Sequence, residues 1–70
     1  MDEEVFNLEV RKFLKKFGVT AQREIEKAVQ GGLERGVLSG NETLRVHAVL
    51  TLESLLPALR IDGEIELARS

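Results

Sequence analysis

A chain of 70 residues with a net charge of -2 has room for one domain and lacks the strongly basic footprint typical of nucleic-acid-binding proteins. It contains no cysteine and one histidine, His47, which excludes disulfides, thiolate metal sites and any multi-histidine site within one chain. The opening Met-Asp-Glu-Glu is acidic where a secretory signal is basic, and no apolar run approaches the ~20 residues that span a bilayer. We therefore expect a cytoplasmic protein with no membrane partner.

The first predicted element is an amphipathic helix over residues 3–17. Apolar residues recur there at spacings of three and four, acidic residues precede them, and Gly18 is of the type that commonly ends a helix. The opposite face is basic and is a candidate patch for an anion or a partner, although a solvated helix back shows the same pattern. The patch consists of Arg11, Lys12, Lys15 and Lys16.

A second helix is predicted over residues 21–35, with Thr20 as its N-cap. Gly31-Gly32 is its weak point, because each glycine costs ~1 kcal/mol relative to alanine inside a helix. Either the helix ends at Gln30, or it continues to a stop at Gly36. We expect continuation, because Leu33 keeps the apolar stripe in phase.

After a loop, the apolar period changes from helical to two, which predicts strands over residues 43–53 and 59–67 joined as a β-hairpin. We expect Leu52 to pair with Leu59, which places His47 opposite Glu64. A two-residue slip would keep the same faces, so it stays an alternative.

The predicted architecture is α+β, an α-α-β-β single domain over residues 1–70 in which two helices pack on one face of a long antiparallel β-hairpin. Both strands would be edges with unpaired backbone groups, so we expect a homodimer through the hairpin edges. The predicted core is Phe6, Val10, Phe13, Leu14, Phe17, Ile25, Val29, Leu33, Leu44, Val46, Leu50, Leu52, Leu59, Ile61, Ile65 and Leu67.

The titratable residues of the chain do not indicate an enzyme. His47 with Glu64, and the acidic row of Asp62, Glu64 and Glu66, are predicted on the solvent face of the hairpin. Acid–base catalysis and cation binding need convergent groups sheltered from water, which a flat exposed row does not provide. We predict no catalytic residues, no metal and no cofactor.

Residues 10–29 superficially resemble a helix-turn-helix, with the turn at Gly18-Val19-Thr20. This is the alternative interpretation, a small nucleic-acid-binding regulator. The major-groove residues would be Gln22, Arg23, Glu26 and Lys27. The mixed charge of that face and the acidic balance of the chain disfavour nucleic acid as a partner.

A second resemblance extends from residues 1–7 through residues 25–29 and includes residues 62–65. Its most specific segments are Arg11-Lys12-Phe13-Leu14-Lys15-Lys16 and Gln22-Arg23-Glu24-Ile25-Glu26. With these, nearly the whole chain resembles a family of short bacterial proteins known only as a domain of unknown function. The resemblance implies a bacterial cytosolic protein and supplies no functional residues. From the residues themselves we expect a non-enzymatic protein-interaction module.

Overall fold

The computed structural model describes residues 1–69 and contains one α-helix followed by a two-stranded antiparallel sheet. The helix α1 covers Glu3–Glu34, strand β1 covers Thr43–Leu52 and strand β2 covers Leu56–Glu66. The α+β class is confirmed, but the prediction of two helices is wrong. The chain divides into two compact units, Met1–Val37 with the helix and Leu38–Ser70 with the hairpin.

Helix α1 begins at a cap made by Asp2. The Oδ1 atom of Asp2 accepts hydrogen bonds from the backbone N–H groups of Glu4 at 3.0 Å and Val5 at 3.2 Å. These are two of the four N–H groups that a helix start leaves without a partner. Glu3 and Glu4 add negative charge at the positive end of the helix dipole, as the sequence predicted.

The helix runs through Gly18 and Thr20, where a break and a new N-cap were predicted. A glycine costs only ~1 kcal/mol in a helix interior, whereas a break would leave new unpaired backbone groups at two helix ends. Phe17 and Ala21 are four residues apart, so the apolar face stays in phase across the glycine. That phase is the signal that favours one helix over two.

The end of α1 is a glycine-based cap of the Schellman type. Gly36 has φ +73, its N–H donates to the carbonyl of Leu33 at 3.2 Å, and the N–H of Val37 donates to that of Gly32 at 2.9 Å. The expected continuation through Gly31-Gly32 and the stop at Gly36 are confirmed.

The hairpin has a register two residues away from the predicted one. Leu50, not Leu52, pairs with Leu59, and Ala48 pairs with Ile61. A slip of two keeps every side chain on its predicted face, so alternation alone does not distinguish the two registers. The turn distinguishes them, because β2 begins at Leu56 rather than at residue 59.

The turn between the strands is tight and irregular. The N–H of Leu55 donates to the carbonyl of Leu52 at 3.1 Å, and Ser54 adopts the left-handed conformation with φ 59. The register then shifts between Leu50 and Leu52, at the level of Pro57 in β2. Proline lacks the N–H that a regular ladder needs, so it fits at an irregularity of this kind.

The predicted buried core is not present in the structure. Within residues 1–69 no hydrophobic side chain is buried, and Phe13 and Phe17 are 51% and 46% exposed. On β1, Leu44, Val46, Ala48 and Leu50 of the apolar face are half-buried, and the residues of the opposite face are exposed, as alternation predicts. Leu52, at the end of the apolar face, is exposed. Among the described residues, neither unit has a second layer of secondary structure that could enclose its own apolar face.

Candidate interaction surfaces

The polar face of the hairpin carries four cross-strand pairs. Arg45 lies opposite Glu64, and His47 lies opposite Asp62, so the prediction that His47 faces Glu64 is wrong. The cause is the two-residue difference in register. The Nε of Arg60 donates to Oδ1 of Asp62 at 2.8 Å, and both side chains are more than half exposed.

This polar face is open to solvent, which limits what its charges can do. An exposed ion pair contributes roughly 0–1 kcal/mol, since water screens both partners. In the described part of the chain, no three histidine or acidic side chains converge to form a metal site. The acidic row Asp62, Glu64 and Glu66 therefore does not converge into a site.

The basic patch predicted on the first helix lies within the N-terminal half of α1. Its four members, Arg11, Lys12, Lys15 and Lys16, are exposed and spread over little more than one turn. The Nζ of Lys12 lies 3.8 Å from Oε2 of Glu9, three residues earlier on the same helix. The four basic side chains are therefore accessible on the helix surface. That they bind an anion or a partner stays a prediction.

The sequence did not predict that the carboxylate of Glu42 hydrogen-bonds to the backbone of the loop before β1. Its Oε2 accepts from the N–H of Ser39 at 2.9 Å, and its Oε1 accepts from the N–H of Gly40 at 3.0 Å. These backbone donors, that of Ser39 first, lower the pKa of Glu42 to about 2. The carbonyl of Glu42 also accepts from the N–H of Leu67 at 2.9 Å. The loop thus stabilises the open end of the hairpin; its only sequence signal is an acid following Ser-Gly-Asn.

The continuity of α1 removes the basis for the helix-turn-helix interpretation. Gly18, Val19 and Thr20 are helical, so no turn separates a first helix from a recognition helix. The helix-turn-helix interpretation of residues 10–29 is therefore wrong. Among the described residues there is no helix with the length and apolar character needed to cross a membrane.

The continuity also produces a long apolar stripe that two separate helices would not have. Eight residues follow one another along α1 at spacings of four, three, four, four, four, three and four. Such spacings place them on one side of a helix. We call this surface the helix stripe; it consists of Phe6, Val10, Phe13, Phe17, Ala21, Ile25, Ala28 and Gly32, of which Gly32 is buried. Leu14 and Glu24 lie on the same side of α1 by the same spacings.

The second exposed surface is the outer edge of β1. In the part of the chain that the structure describes, the sheet has only two strands, so β1 pairs with β2 on one side alone. The ten residues Thr43–Leu52 contain no proline and no lysine, the residues that proteins commonly use to protect an edge. Strand β2 differs, because Pro57 and the register shift interrupt it.

Together these features define a small α+β protein made of one long capped helix and one β-hairpin, with apolar surface exposed on both. A family model described as "Family of unknown function (DUF6494)" matches residues 1–68. The chain therefore belongs to this family, which confirms the resemblance inferred from its sequence segments. No curated protein and no solved structure matches the chain at a significant level.

Proposed function

We propose that this protein is a non-enzymatic interaction module of the bacterial cytoplasm, which binds by adding a strand to the outer edge of β1. The observation that supports this most directly is the two-stranded sheet, whose β1 edge is long, regular and unprotected. An exposed edge presents a row of backbone donors and acceptors to any extended segment. An isolated hairpin is only marginally stable in water, and an added strand remedies this.

The first occupant that we propose for this edge is a second copy of the chain. Two β1 strands related by a two-fold axis would form one four-stranded sheet, and the surface involved would be the same on both subunits. Leu44, Val46, Ala48 and Leu50 alternate along β1, so an antiparallel pairing that matches residues of equal parity continues the apolar face across the sheet. A protein partner with an extended apolar segment would bind in the same way.

Amide hydrogen exchange, measured by NMR on the whole chain, tests strand addition. The N–H groups of Thr43–Leu52 that point away from β2 should exchange slowly at high protein concentration and faster on dilution. The outward N–H groups of β2 are the internal control and should exchange fast at both concentrations. Fast, concentration-independent exchange of the outer β1 amides, without any added partner that slows it, would contradict the proposed homodimer.

A further inference from the structure

We propose that residues 10–23 of α1 form a binding surface for an anionic phospholipid membrane, on which the helix lies flat. We call these residues segment 10–23. This surface belongs to the helical unit only, so it does not depend on strand addition at β1. Three observations support it: a run of positive charge without acidic residues, a compact and exposed apolar face, and the position of the charges on both sides of that face.

Segment 10–23 is a stretch of positive charge in a chain whose net charge is -2. It contains five basic residues and no acidic residue, and it is bounded by Glu9 and Glu24. Among residues 1–69, one of the five makes an ion pair: the Nζ of Lys12 lies 3.8 Å from Oε2 of Glu9. Most of the positive charge is therefore available to an anionic partner. The five basic residues are Arg11, Lys12, Lys15, Lys16 and Arg23.

The apolar face of the segment is compact and exposed. Successive residues turn by about 100° around a helix axis, so its five members fall within an arc of about 100°. An arc of this width is typical of the apolar side of an amphipathic helix. The four larger side chains are between 38% and 52% exposed, so the face is accessible to a partner. The five members are Val10, Phe13, Leu14, Phe17 and Ala21.

The basic residues lie on both sides of this apolar face. By the same helical geometry, Lys16 and Arg11 are each about 60° beyond one of its edges, and Lys12 and Lys15 are each about 100° beyond them. Arg23 lies on the same side as Lys16. The stems of lysine and arginine can pack along apolar surface while their charged ends reach polar groups. With the apolar face in a membrane, both rows of cations would therefore lie at the level of the lipid phosphates.

This arrangement fits an anionic membrane better than an acidic protein or a nucleic acid. A planar membrane contacts both rows of cations at once and accepts the apolar face between them, which is the pattern of helices that bind in the membrane interface. Protein interfaces are depleted in lysine, which supplies three of the five cations. A nucleic acid offers phosphates to the cations and bases to the phenylalanines, but no aliphatic layer for Val10 and Leu14.

The expectation of no membrane partner concerns segments that span a bilayer, which need ~20 apolar residues. A helix in the plane of the interface inserts only one face and needs no such run. Segment 10–23 makes about four helical turns and is about 21 Å long, which is sufficient for a surface contact. We therefore replace that expectation with membrane-surface binding by α1.

Flotation of the full chain with lipid vesicles tests the electrostatic part. The wild type should bind vesicles made of equal parts of phosphatidylglycerol and phosphatidylcholine, and not vesicles of phosphatidylcholine alone. Lys15→Gln/Lys16→Gln removes one cation from each side and should weaken binding about 25-fold, since each cation near an anionic surface contributes about fivefold. The control Lys27→Gln/Arg35→Gln removes the same charge outside the segment and should stay within about twofold of the wild type. Absent wild-type binding, or equal losses in both variants, would overturn the proposal.

A pair of serine variants in the same flotation assay tests insertion of the apolar face. Phe17 is 46% exposed within that face, and Val19 is 51% exposed on the opposite side of α1. Serine, phenylalanine and valine have similar helix propensities, so neither variant favours or disfavours the helix itself. Phe17→Ser should weaken binding about tenfold, because the lost ring no longer leaves water on binding, and Val19→Ser should leave binding unchanged. Similar binding by the two variants would exclude insertion of this face.

Fluorescence can locate the inserted side directly, because the chain has no tryptophan of its own. With anionic vesicles, the emission of Phe17→Trp should shift to shorter wavelength and be quenched by brominated lipid, whereas that of Val19→Trp should change little. Quenching of both variants, or of neither, contradicts the proposed orientation. Polyglutamate and polyuridylate are the comparison polyanions. If either binds the wild type more tightly than the vesicles do, and binds Phe17→Ser equally well, segment 10–23 recognises another polyanion and the membrane proposal is refuted.

Discussion

Replacement of Gly18 with alanine measures how much this glycine destabilises the interior of α1, at the position where the sequence predicted a helix end. A β-carbon built at Gly18 meets no heavy atom within 4 Å outside its own helix turn, so the substitution introduces no clash. The remaining effect is helix propensity, which favours alanine by about 0.8–1.0 kcal/mol. For a chain of this size, that gain corresponds to a rise in the melting temperature of about 4–8 °C.

Circular dichroism at 222 nm during heating measures this effect, with all variants at one protein concentration because self-association also changes the melting temperature. Gly36→Ala is the matched control with the opposite sign. Gly36 has φ +73, a conformation that costs a non-glycine residue about 1–2 kcal/mol, so this variant should melt earlier. A Gly18→Ala variant that melts earlier as well would show that residue 18 is not helical in solution, and the single continuous helix would be refuted.

The other predictions concern the helix cap, the strand glycine and the loop carboxylate. Asp2→Ala should lower the free energy of unfolding of the helix by about 1 kcal/mol, because two backbone N–H groups lose their acceptor. Gly63→Ala should stabilise the hairpin by about 0.5–1 kcal/mol, since the new β-carbon would lie 3.6 Å from Cγ1 of Val46, an ordinary contact. The pKa of Glu42 is lowered from 4.5 to about 2, so its carboxylate contributes stability fully above pH 4.5 and loses it as the pH falls toward 2. Glu42→Gln should abolish that part of the acid dependence.

Each of these predictions has its own check. Asp2→Asn keeps a side-chain acceptor and should cost less than Asp2→Ala in a thermal melt; equal losses would exclude the cap as the cause. For Gly63→Ala, NMR of the β1 amides measures the stability of the hairpin. A less stable hairpin would contradict the prediction and mean that position 63 does not accept a side chain. For Glu42, urea unfolding at a series of pH values is the measurement. If the free energy of unfolding falls equally with pH in the wild type and in Glu42→Gln between pH 4.5 and 2, the proposed hydrogen bonding of Glu42 is ruled out.

Local chemistry explains most of the elements that could be predicted. The stop at Gly36 was expected, and Asp2 caps the start of α1; the preferences of both residues act within a few positions. Alternation along Thr43–Leu52 likewise assigns each side chain to a face of the hairpin without reference to the rest of the chain.

The misassigned features depend on competition between nearly equal alternatives. Gly18 is compatible with a helix end and with a helix interior. A continuous helix loses ~1 kcal/mol to the glycine, whereas a break would leave unpaired backbone groups at two new helix ends. The hairpin register is similar, because a two-residue slip preserves both faces and only the turn at Ser54 and Pro57 selects one. His47 then meets Asp62 instead of Glu64.

The sequence by itself determined the α+β class, the helix stop at Gly36, the faces of the two strands and membership in a family of unknown function. These follow from periodicity and residue type, which act locally. Only the tertiary structure decided that α1 is continuous, and continuity joins two short apolar faces into one helix stripe. It also decided the cross-strand partners and the environment of Glu42, because each depends on which backbone groups the fold brings within hydrogen-bonding distance.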